Sequence, residues 1–124
     1  MRVLIVEPKR RPEVKEIDGS LKSMQEVVGG LIQALYPFDE PVALVCNDEG
    51  KLMQLPANRG LRDDSGQIYD IVVGTFFICG APRNSDHFTS LTPEQIERYR
   101  ERFHTPEMFL RMDGQIVCLP LEID

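Results

Sequence analysis

The chain has no apolar run long enough to cross a membrane as a helix. Its longest nearly apolar stretch, residues 71–81, falls far short of the roughly 20 residues that a bilayer-spanning helix needs. The opening Met1-Arg2-Val3-Leu4-Ile5-Val6-Glu7 reaches an acid too soon for a secretory leader. Cysteines number only three, Cys46, Cys79 and Cys118. The count is odd and no two of them have a two-residue gap, which excludes a zinc knuckle or a dithiol redox motif. Each sits in an apolar stretch, so the expectation is buried, reduced thiols in a cytoplasmic protein. There are only two histidines, His87 and His104, and no ligand partner falls at helical or hairpin spacing from either. His104 follows a helix end, where the dipole favours a cation. The serines at 20, 23, 65, 85 and 90 stand in cap or turn contexts. No Gly-x-Ser-x-Gly elbow, Walker loop or dinucleotide fingerprint is present. The sequence therefore predicts no catalytic residue, no metal site and no cofactor.

What remains is ordinary globular composition. The 124 residues are 42% apolar and 27% charged, enough for one domain over 1–124 with a single core. Acids outnumber bases 20 to 14, a net charge of −6. That balance disfavours nonspecific contact with nucleic acid or anionic membrane. Phe76-Phe77 resembles a base-stacking pair, but its neighbours Thr75, Ile78 and Cys79 bring no positive charge, so a core or protein contact is expected. Lys9-Arg10-Arg11 reads as a solvated turn.

Hydrophobic patterning predicts an α+β fold. One small, mostly antiparallel sheet of about five to seven short strands is expected, with two amphipathic helices, about 20–29 and 93–103. Residues 3–6 read as a buried strand, and 13–17 as an exposed edge strand flanked by prolines. Ser20 should cap the first helix, whose stripe is Leu21, Met24 and Val28, with Gly29-Gly30 ending it. Strands follow at 31–35 and 42–46. Asn47-Asp48-Glu49-Gly50 reads as a hairpin turn into 51–53, and 55–60 as an irregular loop. Residues 68–73 and 75–79 read as strands. Thr92-Pro93-Glu94-Gln95 is a capping-box pattern ahead of the stripe Ile96, Tyr99 and Phe103, with a Glu94–Arg98 pair on the outer face. Asp113-Gly114 marks a hairpin joining 108–112 to 115–119.

Four residues stand out as candidates for binding. Asn58 and Arg59 lie in the Pro- and Gly-bounded loop, close to Arg62; ordered loops carrying such side chains bind ligands or tie themselves to backbone. Asp70 interrupts the apolar run Ile68-Tyr69-Asp70-Ile71-Val72-Val73. A buried carboxylate must be hydrogen-bonded or paired. It is read as a cap on backbone N–H groups at a turn or bulge before Thr75, or as a partner of Arg59 or Arg62, or as a catalytic group.

Several segments in fixed order carry a resemblance: Gly29-Gly30 with Tyr36-Pro37-Phe38, Cys46-Asn47-Asp48-Glu49-Gly50-Lys51, Leu55-Pro56-x-Asn58-Arg59, Asp70-Ile71-x-x-Gly74-Thr75-Phe76-Phe77-Ile78 and Leu91-Thr92-x-Glu94-Gln95-Ile96. Over about residues 2–103 the chain resembles the small bacterial and phage proteins grouped as domain of unknown function 3846. The resemblance implies a setting on phages, plasmids or conjugative elements. It implies no activity, cofactor or catalytic residue. Residues 104–124 lie outside it and read as a variable C-terminal extension forming a hairpin. The first expectation is a non-enzymatic interaction or accessory module, with another protein or a second copy as partner. An enzyme or small-ligand binder would instead centre on the Asn58-Arg59 loop and Asp70. An acidic inhibitor of a nucleic-acid enzyme would need the acids at 39–40, 48–49 and 63–64 on one face.

Overall fold

A computed structural model describes residues 1–121. In chain order the elements are β1 (Arg2–Val6), β2 (Glu13–Glu16), α1 (Leu21–Val28), β3 (Ile32–Leu35), β4 (Val42–Asn47), β5 (Ala57–Arg62), β6 (Ile68–Val73), β7 (Phe76–Gly80), α2 (Pro93–Arg102), β8 (Glu107–Met112) and β9 (Gln115–Pro120). The fold is α+β, and every strand pair is antiparallel. The main sheet has five strands in the order β2-β1-β7-β4-β3, while β5–β6 and β8–β9 are separate two-stranded ribbons.

The main sheet is covered on both faces, which is why its three central strands are continuously apolar. Side chains alternate across a strand. Leu4, Val6, Leu44, Phe76 and Ile78 pack on one face, beneath Ile96, Tyr99 and Phe103 of the α2 region and Leu61 and Val72 of the β5–β6 ribbon. Val3, Ile5, Val45, Phe77 and Cys79 pack on the other, beneath Met24 and Val28 of α1. Phe76 and Phe77 are thus both buried core, on opposite faces, and neither is a stacking platform.

Local chemistry sets the helix ends. The Ser20 hydroxyl accepts from the Ser23 N–H, and Gly29 closes α1 at φ 79°, a left-handed cap that glycine adopts without strain. Leu21, however, is exposed, so the buried stripe of α1 is Met24 and Val28 alone. Thr92 and Gln95 form the full capping box of α2. Arg98 reaches across to Glu40 rather than to Glu94.

Two further expectations are corrected. Residues 51–53 do not return as a strand. The Asn47 Oδ1 accepts the Glu49 N–H at 2.8 Å, and Met53 N–H then bonds to Glu49 O, so the chain coils; β4 finds its partners in β3 and β7. Residues 57–62 are not a loop. They form β5, with register shifts at Ala57/Arg59 and Leu61/Arg62. The first shift sets Asn58 as an extra residue, a bulge that turns its side chain inward.

Candidate functional site

Asn58 and Arg59 are buried at the junction of four segments. The Asn58 amide donates to Val6 O at 2.9 Å and to Gly74 O at 2.8 Å. That ties the end of β1 to the β6–β7 turn. Gly74 sits there at φ 74°, and a Cβ on it would meet Leu55 Cδ1 at 2.7 Å, so the position takes only glycine. Arg59 is 1% exposed. Its Nε and Nη2 donate to Phe103 O at 3.2 and 3.0 Å, its Nη2 also to Arg10 O at 2.6 Å, and its Nη1 to Asn58 Oδ1 at 2.8 Å. Carbonyl oxygens at the C-terminus of α2 carry partial negative charge, which suits a cation. Burial pulls the guanidinium down to about 10, with Glu107 opposing. These donors satisfy backbone acceptors and the Asn58 side-chain oxygen and leave none aimed at solvent.

Arg62 belongs to a different cluster. Its Nη2 meets Glu107 Oε2 at 2.5 Å and Cys118 Sγ at 3.4 Å, and the Cys118 thiol donates to Glu107 Oε2 at 2.7 Å. The other oxygen of Glu107 accepts the Gly60 N–H at 3.0 Å. Burial works to raise the Glu107 carboxyl, but Arg62, Cys118 and the Gly60 amide outweigh it and hold it below the ordinary range. Burial and the carboxylate together push the Cys118 thiol up to about 11. It is a proton donor here, not a thiolate nucleophile. Cys118 therefore lies apart from the buried thiols of Cys46 and Cys79, half-buried in the hairpin.

Asp70 is half-exposed on β6. Its Oδ1 accepts the Ile71 N–H at 2.8 Å and Lys51 Nζ at 2.6 Å. It shares no hydrogen bond with Arg59 or Arg62. The four singled-out residues thus divide into three arrangements: a buried stitch, a clamp on the hairpin, and a capped strand edge. His87 and His104 are exposed. Among the described residues no group of three His, Cys, Asp or Glu could hold a metal ion. The acids at 39–40, 48–49 and 63–64 fall in three different connections, and Asp63 folds back onto its own turn through Ser65 and Gln67.

Two grooves flank Asp70. One of about 510 Å³ runs between β6 and the exposed face of β3, past the 48–52 turn. The other, about 650 Å³ and mostly apolar, lies between β6 and the β8–β9 ribbon, with Tyr69, Phe109 and Ile116 in its walls. On β8–β9, Met108 faces Leu119 and Leu110 faces Val117 across the ribbon. Residues directly opposite share a face. With Met112, these side chains make an apolar face turned away from Glu107 and Cys118. Met108, Leu110 and Leu119 are each 40% exposed and Met112 54%. Sequence reasoning missed both this face and Glu107. The period-two spacing of Met108, Leu110 and Met112 carried the first; nothing local carried the second, which acts only once β8 lies beside β5.

The chain belongs to the family described as Domain of unknown function (DUF3846), whose model matches residues 1–104. No curated protein and no solved structure matches it. The match stops at the end of α2, so β8 and β9 lie beyond it. No helix among the described residues is long and apolar enough to cross a membrane.

Proposed function

We propose that this family member is a non-enzymatic protein-interaction module, an accessory protein of a phage or conjugative element, working in the cytoplasm. The observation that carries the reading is the uncovered apolar face of β8–β9. Five aliphatic or thioether side chains on one face of a two-stranded ribbon gain when a partner covers them, at about 25 cal/mol per Å² of apolar area removed from water. Among the described residues no element covers the ribbon on that side, and isolated ribbons are marginal in water. The residues that looked most chemical support the reading too, since Asn58 and Arg59 spend their donors on backbone and on each other. The mobile-element setting follows the family resemblance, and free cysteines favour a reducing compartment.

The test is capture of partners from lysate of the natural host by the tagged chain, beside Leu110→Lys/Met112→Lys, with light scattering for oligomeric state. Both substitutions are at exposed positions and should change stability by no more than about 0.5 kcal/mol each. The expected result is a stoichiometric protein, or a second copy, held by wild type and lost by the variant. A retained small molecule with no protein partner would instead support a ligand-binding role beside Asp70 and Lys51. Identical capture by both chains would sink the reading.

A further inference from the structure

We infer that the outer edge of β3 is a strand-addition site for an extended, basic peptide segment of a partner protein. The inference rests on the interaction-module reading for its purpose but uses a surface separate from the hairpin face. Open strand edges invite pairing and are normally blocked by charge, proline or cover. The other edge of the main sheet and both edges of the β5–β6 ribbon are blocked. β2 carries Glu13, Lys15 and Glu16 beside Pro12. The outer side of β5 is sealed at Gly60 by the Glu107 carboxylate. The outer side of β6 is sealed at Ile71 by Asp70.

β3 is the open edge of the main sheet, and residues 29–36 contain no charge and no proline. Its pairing alternates, because Asp48 N–H bonds to Leu31 O and Gln33 and Leu35 lie opposite Cys46 and Leu44. That register turns the N–H and C=O groups of Ile32 and Ala34 outward. Among the described residues no loop or side chain bonds to them. An added strand would take these four groups and extend the sheet to six strands.

The groove beside β3 sets the chemistry of the partner. Alternate side chains of an added strand would lie on the same face as Gln33 and Leu35, over the groove of about 510 Å³. Asp48, Glu49 and Asp70 line it with one cation, Lys51, which is bound to Asp70. Asp48 and Glu49 leave it net negative, so a lysine or arginine at alternate positions is favoured. Self-pairing of two β3 edges would bring two such grooves, on two chains of net charge −6, against each other. Charge therefore selects a basic partner over a second copy.

The probe is a fluorescein-labelled nonapeptide of alternating lysine and valine, titrated into the full chain by fluorescence anisotropy. Its controls are an alternating glutamate–valine peptide and the lysine peptide N-methylated at every second residue. The lysine peptide should bind, weaken in about 0.5 M salt, and shift the amide resonances of Ile32 and Ala34. Ala34→Pro removes an outward N–H and is tolerated on an edge. It should weaken binding by about tenfold or more, a loss of ~1.4 kcal/mol. Glu49→Lys lies in an exposed turn, where fold loss is no explanation, and should weaken the lysine peptide while improving the glutamate one. Leu110→Lys/Met112→Lys should bind the peptide like wild type. No binding, equal binding of any control, resonance shifts centred on β8–β9, or dimerisation through β3 would each overturn the inference. If the lysine peptide fails while hairpin substitution still releases a captured protein, the edge site is wrong and the module reading stands.

Discussion

Replacing Arg59 with leucine separates a structural stitch from a binding residue. Five hydrogen bonds run from the guanidinium to oxygens of Phe103, Arg10 and Asn58. Leucine leaves Phe103 O, Arg10 O and Asn58 Oδ1 without that donor. Each buried acceptor left unpaired costs roughly 1–3 kcal/mol, so the loss sums to about 3–9 kcal/mol. Against this stands relief from burying a cation, worth several kcal/mol when no carboxylate touches it. The acceptors outnumber the single charge, and the α2 C-terminus already offsets part of its burial. The expected net loss is about 3 kcal/mol, out of a total stability of ~5–15 kcal/mol. In urea, with a slope of about 1–3 kcal/mol per M, the midpoint should fall by roughly 1–3 M. Arg59→Lys keeps the charge but not the fork of donors, and should do no better than leucine. Asn58→Leu should be non-additive with Arg59→Leu by about 1 kcal/mol or more, since one bond joins the two side chains. A midpoint change equivalent to less than ~1 kcal/mol, or full rescue by lysine, would refute the argument. Unchanged stability with lost partner capture would move Arg59 into a binding site.

Two further outcomes follow from the hairpin clamp and the thiols. Glu107 titrates below its ordinary value in the folded chain. Its contribution is therefore complete above the unfolded value of about 4.3 and is lost as pH falls through the lowered folded value. Amide exchange in β8 and β9 should rise below about pH 4 while β1, β4 and β7 stay protected; uniform exchange across both regions would contradict this. With a thiol reagent at neutral pH, Cys118 should react first and slowly, because its thiol sits at about 11. Cys79, pushed by burial to about 12, and Cys46, pushed by burial to about 11, should react only on unfolding. Mass-spectrometric mapping that finds Cys46 or Cys79 labelled ahead of Cys118 would rule out the assigned burial.

Where the chain's local chemistry and its tertiary setting agree, the sequence was readable. Ser20 and Gly29 bound α1, Thr92, Pro93 and Gln95 start α2, and Asp113-Gly114 turns β8 into β9, all through bonds made within a few residues. β5 was not readable because Ala57, Asn58 and Gly60 have poor strand propensity. Asn58 and Arg59 are placed by distant partners: Val6 and Gly74 for Asn58, Phe103 and Arg10 for Arg59. Gly60 lies where a Cβ would stand 2.8 Å from Ile68 Cδ1. The turn at 47–50 failed for a related reason. Its residues suit a hairpin, but Asn47 spends its amide on Val28 O at 3.1 Å and its oxygen on Glu49, fastening the end of β4 to α1 instead.

These placements also account for what the family motifs do here. Asn47, Asn58, Arg59 and Gly74 all carry the resemblance, and each is occupied in joining one element to another. A matched motif can thus record how a fold is closed without recording a reaction. The core clusters end at Phe103, whose carbonyl Arg59 holds, and the family match ends one residue later. β8 and β9 supply nothing to either cluster. They are attached through Pro106, which is fully buried, and through the Arg62–Glu107–Cys118 contacts. A unit held by a few polar bonds and little apolar burial opens at lower cost than the core does. The exposed apolar face of Met108, Leu110, Met112 and Leu119 is therefore carried on a weakly anchored unit. A partner that covered that face would stabilise the unit by mass action, and its binding would then be linked thermodynamically to closure of β8–β9 on the core.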